Sequence, residues 1–153
     1  MYIPRPIYPH AIPPTHTRPT AGDLHVTSGL PGNVALDFMA PGGTTILAPQ
    51  DCYVMRLSGH DPREGVIGGD VYGWNTYLHV PDGFYFLTHQ DLRYVKVGQW
   101  VRKGTRIGRV GHWPNDPGRS HSHLGFTHVK GYDASRKRIL AVAAGPFRKD
   151  VAV

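Results

Sequence analysis

Apolar and polar residues alternate along much of this chain with the two-residue period of β-strands, and no long apolar stripe at helical spacing interrupts them. In Asn33-Val34-Ala35-Leu36-Asp37-Phe38, the side chains of Asn33, Ala35 and Asp37 share one face. Val34, Leu36 and Phe38 share the other and fit a core. The same reading predicts strands over 23–28, 44–49 and 52–57. Two more, 74–80 and 84–89, flank Pro81-Asp82-Gly83, a hairpin signal, and alternation puts Tyr85, Leu87 and His89 on one face. Residues 94–111 give short strands between glycine turns, and 119–126 give a strand carrying His121 and His123. Residues 58–73 and 112–119 are rich in glycine and proline and read as loops, of the length that often forms functional rims.

Composition supports this picture. The 153 residues suffice for one domain with a real core, and 19 glycines and 14 prolines favour short strands joined by turns. The expected fold is all-β, a mostly antiparallel sheet or sandwich. Three parts are expected: a proline-rich N-terminal arm (1–22), the β domain (23–129) and a basic C-terminal extension (130–153). The arm's prolines keep it extended, while Tyr2, Ile3, Ile7, Tyr8 and Ile12 anchor it, either as a strap across its own domain or as a grip on a neighbouring subunit. His10 and His16 are expected at its surface. Within the extension, 136–142 is compatible with a short strand or a helix, and a solvated basic tail is favoured over a dedicated anion site.

The net charge of +6 favours polyanionic surroundings. The single cysteine, Cys52, rules out an intrachain disulfide and reads as a small core residue. No apolar stretch is long enough for a bilayer span, and no Sec-type signal follows Met1, so a complete chain without a membrane partner is expected. No nucleotide-cradling glycine loop or nucleic-acid module is present, so no nucleic-acid partner is expected.

The candidate chemistry lies in His121 and His123. Side chains two apart on a strand point the same way, which suits a zinc ligand beside a proton-handling group. The alternative is a pair of surface histidines. Context separates the two. Segments in order along 26–126 carry a pattern: Val26-Thr27-Ser28-Gly29, Asn33 to Thr44 with Asp37 and the Ala40-Pro41-Gly42-Gly43-Thr44 turn, Tyr72-Gly73-Trp74-Asn75-Thr76-Tyr77, Phe86-Leu87-Thr88-His89, 95–108, and His121-Ser122-His123. Together these resemble the lysostaphin/LytM-type zinc metallopeptidases, which cut peptide cross-links in peptidoglycan.

The resemblance implies zinc held by Asp37 and His123, with His89 and His121 placed around the attacking water and the tetrahedral intermediate. The remaining ligand position of the motif falls on Asn33, where the family has histidine. Cys52 is a lesser departure, at a position where glycine is usual. Asn33 offers only an amide oxygen, a weak donor for zinc, so a zinc cofactor is expected to bind weakly or not at all. On this reading Asn33→His would supply the missing nitrogen. His25, His112 and His128 are further histidines that the pattern does not place. The expected function is therefore a degenerate LytM-type domain with a structural or wall-binding role, in a phage virion at the tail, its partners being peptidoglycan or other tail proteins in an oligomeric assembly. The alternative is an active zinc endopeptidase.

Overall fold

A computed structural model describes residues 11–15, 24–62, 65–68, 71–114 and 116–144. Among these residues eight strands form one antiparallel sheet: β1 (Asn33–Met39), β2 (Thr45–Leu47), β3 (Cys52–Gly59), β4 (Trp74–Val80), β5 (Gly83–Arg93), β6 (Trp100–Val101), β7 (Arg106–Val110) and β8 (His121–His128). The spatial order is β1-β8-β5-β4-β3-β6, and β7 joins β5 to β2. Asn33 to Met39 alternate as their sequence predicts, and Leu36 and Phe38 enter the core with Val54, Leu78, Tyr85, Leu87, Leu124 and Phe126.

The β4–β5 hairpin forms where Pro81-Asp82-Gly83 places it, but β5 is not regular. Trp74 pairs with Gln90 and Thr76 with Leu87, so two steps on β4 face three on β5. The extra residue is a β-bulge at Thr88 and His89, and His89 has a left-handed φ of 67°. Strict alternation would put His89 in the core with Tyr85 and Leu87. The bulge turns its ring to the opposite face of the sheet.

The described part of the arm, residues 11–15, straps its own domain. The Ile12 amide donates to the Pro49 carbonyl at 2.8 Å, the Leu47 amide donates to the Pro14 carbonyl at 2.6 Å, and Ala11 and Ile12 are buried. The anchors Tyr2 to Tyr8, with His10 and His16, lie outside the described residues.

Over residues 130–144 the C-terminal region departs from a solvated basic tail, and residues 145–153, with Arg148 and Lys149, lie outside the described residues. Tyr132–Ala144 form helix α1, which packs on β1 and β8. Ser135 fixes its start, accepting from the His128 amide at 2.9 Å and donating to the Gly131 carbonyl at 3.0 Å. Ile139 and Val142 enter the core, and Arg138 is buried with them. Its guanidinium donates to the Asp82 carboxylate and, at 3.2 Å, to Gln50 Oε1, and it lies 4.4 Å from the centre of the Phe126 ring. The charge of Arg138 is therefore matched inside the fold. No helix among the described residues is long and apolar enough to cross a membrane.

Candidate metal centre

β1 and β8 pair so that Asp37 sits opposite His123 and Met39 opposite His121. Alternation along β8 then sends His121 and His123 to the Asp37 face. Thr88 pairs with His123 on the next strand, and the bulge beside it brings in His89. These four side chains, with His25, Thr27, Tyr72 and Asn75, line one open cavity of about 610 Å³.

Asn33 is not in the cavity lining. It shares a strand face with Asp37, but a strand rises about 3.3 Å per residue, so positions four apart lie about 13 Å apart along it. The Asn33 side chain is fully buried, donates to Thr127 Oγ1 at 3.0 Å and packs against Gly125. Sharing a face is thus not sharing a site, and Asn33→His would point its ring at Thr127 rather than at Asp37.

His25 comes to Asp37 from a different direction. Its backbone pairs with Ala35: the His25 amide donates to Ala35 at 3.0 Å and the Ala35 amide returns the bond at 2.7 Å. In an antiparallel pair the diagonal neighbour two residues along is within reach of a long side chain. For His25 that neighbour is Asp37. His25 Nε2 lies 3.5 Å from Asp37 Oδ1 and 3.1 Å from His123 Nδ1, and His123 Nδ1 lies 3.3 Å from the same carboxylate oxygen. The sequence signal for this was His25-Val26-Thr27 just before the Gly29-Leu30-Pro31-Gly32 turn, which folds the segment back onto β1. His112 and His128 lie elsewhere, the first against Gly42 and the second 3.3 Å from Asp82.

The triangle of His25, Asp37 and His123 fits zinc. A tetrahedral zinc with bonds of about 2.0–2.1 Å holds its ligand atoms about 3.3 Å apart, and the three edges are 3.1, 3.3 and 3.5 Å. Asp37 Oδ1 is shut off from solvent without a well-aligned hydrogen bond, although three imidazole nitrogens lie within 3.6 Å. A buried carboxylate oxygen in that setting is a natural seat for a cation. Burial pushes the Asp37 carboxyl up, but His123, with the further attraction of His121 and His25, outweighs it and holds the group below the usual carboxylate range. Burial lowers His123, which favours the neutral ring a metal requires.

The other two histidines present the same nitrogen. His89 Nδ1 donates to the Tyr72 carbonyl at 2.8 Å, and His121 Nδ1 donates to the Arg119 carbonyl at 2.5 Å. Each neutral ring therefore carries its lone pair at Nε2. Their rings meet edge to face at 4.8 Å, with Trp113 packed 5.6 Å from each. Burial, reinforced by the neighbouring His121 ring, pushes the His89 pKa down to about 4.

The family model for peptidase family M23 matches residues 32–145. The chain belongs to peptidase family M23. Members of this family are generally zinc-dependent, and the M23 domain here has a His/Asp cluster of that kind. Two solved structures show the same fold. The solution structure of lysostaphin superposes with a TM-score of 0.58 at 16% identity, over 92% of this chain and 57% of that one. The antimicrobial peptidase lysostaphin from Staphylococcus simulans gives a TM-score of 0.56 at 16% identity, over 94% of this chain and 59% of that one. This M23 chain thus spans under two thirds of those lysostaphin chains. No curated protein sequence matches it. The family match begins at residue 32, beyond His25, so this member of the cluster lies outside the matched stretch.

Proposed function

We propose that this chain is a zinc-dependent endopeptidase acting on the peptide cross-links of peptidoglycan, with zinc held by His25, Asp37 and His123. The observation that carries the reading is the triangle of their ligand atoms, with edges of 3.1–3.5 Å, in the lining of an open cavity. The structural or wall-binding reading rested on Asn33, on the proline-rich arm and on the lack of a Sec-type signal; His25 supports the enzymatic alternative by offering a nitrogen that Asn33 lacks. Zinc in such a site supplies Lewis-acid polarisation of an amide carbonyl and a water of lowered pKa.

The chain's own residues divide the remaining work. His121 Nε2 opens on the same cavity 3.6 Å from Asp37 Oδ1, and its lone pair is available to take a proton there. His121 is therefore the proton acceptor. His89 is more strongly held neutral by burial, and its Nε2 orients the attacking water or the leaving amine. Asn75, which also lines the cavity, is held by a 2.5 Å hydrogen bond from Thr88 Oγ1 to its Oδ1 and by one from its Nδ2 to Ser58 Oγ at 3.4 Å. Thr27 and Ser28 also line the cavity, and the net charge of +6 suits anionic cell walls.

The test is zinc titration by calorimetry of metal-free protein, together with turbidity loss of purified cell walls, for the native chain and His25→Ala. Tight stoichiometric zinc and wall lysis by the native chain, both lost in the variant, are expected. A native chain that binds zinc stoichiometrically but leaves walls intact would overturn the enzymatic reading. A native chain that binds no zinc would overturn the site.

A further inference from the structure

His123 is engaged at both ring nitrogens by one short segment of chain. His25 Nε2 lies 3.1 Å from its Nδ1, and Thr27 Oγ1 lies 2.7 Å from its Nε2. His25 and Thr27 are two apart on extended backbone, so both side chains project to the same side of the segment. The residue between them is buried, with 8% of its surface exposed. A neutral imidazole has one proton for two nitrogens, and the partner of one nitrogen decides what the other offers. Near Nδ1 stands the Asp37 carboxylate, 3.3 Å away, which on its own would draw the proton to that side and block the lone pair. A hydroxyl accepts as readily as it donates.

We propose that Thr27 is a positioning residue that holds the His123 proton on Nε2 and so leaves the Nδ1 lone pair free for zinc. The inference rests on the zinc reading above. It makes residues 25–27 a single functional unit: one side chain is a ligand, and the next on the same side sets the orientation and tautomer of another ligand. The unit joins the sheet through the His25–Ala35 pair, which ties its backbone to β1.

The experiment compares native protein with Thr27→Val, which keeps the shape and loses the acceptor, and Thr27→Ser, which keeps the hydroxyl. Zinc affinity is measured by competition with a chromophoric chelator, the His123 tautomer by nitrogen-15 NMR of the zinc-loaded protein, and folding by thermal melting of the metal-free forms. Loss of an outer partner of a metal-bound histidine weakens affinity about 10–100-fold. That loss is expected for Thr27→Val, with recovery in Thr27→Ser and an Nε2 proton in the native complex. Thr27→Val binding zinc as tightly as native would overturn the inference. So would a native complex with the His123 proton on Nδ1, or a metal-free melting temperature in Thr27→Val that falls far enough to account for the affinity loss. Absence of zinc binding by the native chain would instead overturn the underlying metal reading.

Discussion

His25 Nε2 lies 3.1 Å from His123 Nδ1, although 98 positions separate them along the chain. On the zinc reading proposed above, metal affinity depends on His25 rather than on Asn33. His25→Ala is expected to weaken zinc binding more than the about 10–100-fold typical of an outer-partner loss, since a ligand itself is removed. Adding Asn33→His to that variant should restore nothing, because the new ring would lie far along β1. Calorimetric zinc titration of the single and double variants checks this, and restored binding in the double variant would show that β1 can bend to bring position 33 in.

Asn33 has a packing role that can be measured separately. A Cβ at Gly125 would fall 2.3 Å from Asn33 Oδ1. Gly125→Ala is therefore expected to destabilise the domain by about 1–3 kcal/mol, as overpacking does. Truncating Asn33 to alanine removes the clash, so the double variant should lose less than the sum of the two single variants. Urea unfolding of the four proteins gives the coupling, and simple additivity would mean the clash is relieved elsewhere.

The strands β1 and β8 and the β4–β5 hairpin were legible in the sequence because alternation and turn chemistry are local, whereas the pairing of β1 with β8 was not. Asp37, His121 and His123 could be placed on faces for the same reason. His89 was legible as a site residue only through family resemblance, since alternation alone sends it to the core and the bulge that corrects it depends on pairing with β4. His25 could not be placed because its position follows from a pairing with Ala35 across a turn, where a shift of one residue reverses its face. Arg138 read as a tail charge because its partners, Asp82 and Gln50, lie 56 and 88 positions away.

Metal-free protein should lose stability on mild acidification. The His89 pKa is near 4 in the fold, whereas an unperturbed histidine has a pKa of about 6.5. The unfolded chain thus binds the extra proton first, and stability falls as pH drops from about 6.5 towards 4. For His89 alone the loss between pH 7 and pH 5 is about 2 kcal/mol. Burial lowers His123 as well, which adds a loss of the same sign. Urea unfolding at the two pH values checks this, and His89→Gln should flatten part of the dependence. An unchanged slope in that variant would assign the effect to other groups.

Arg138→Ala is expected to cost about 3–5 kcal/mol, the range for breaking a buried ion pair, while Arg136→Ala at an exposed position of α1 should change stability by less than about 0.5 kcal/mol. Thermal or urea unfolding distinguishes the two. Equal small effects would mean the helix does not contribute its charge to the core.

Cys52 should be inert towards thiol reagents in the native state. It is fully buried, and burial, with the nearby Asp51 carboxylate, pushes its thiol up to about 12. Reaction with an aromatic disulfide reagent at pH 8 should be slow in buffer and fast in urea. Rapid labelling in buffer would show that the strand carrying it opens readily.

The pairing of His25 with Ala35 also has a kinetic consequence. The chain's only cysteine leaves it without an intrachain disulfide, so an ion held by His25 and His123 would be a reversible cross-link closing a ring of nearly a hundred residues. The amide protons of His25 and Ala35 would then exchange with solvent on two clocks. With the ion bound, they would exchange slowly with the body of the sheet. After chelation, they would exchange as fast as an edge segment frays.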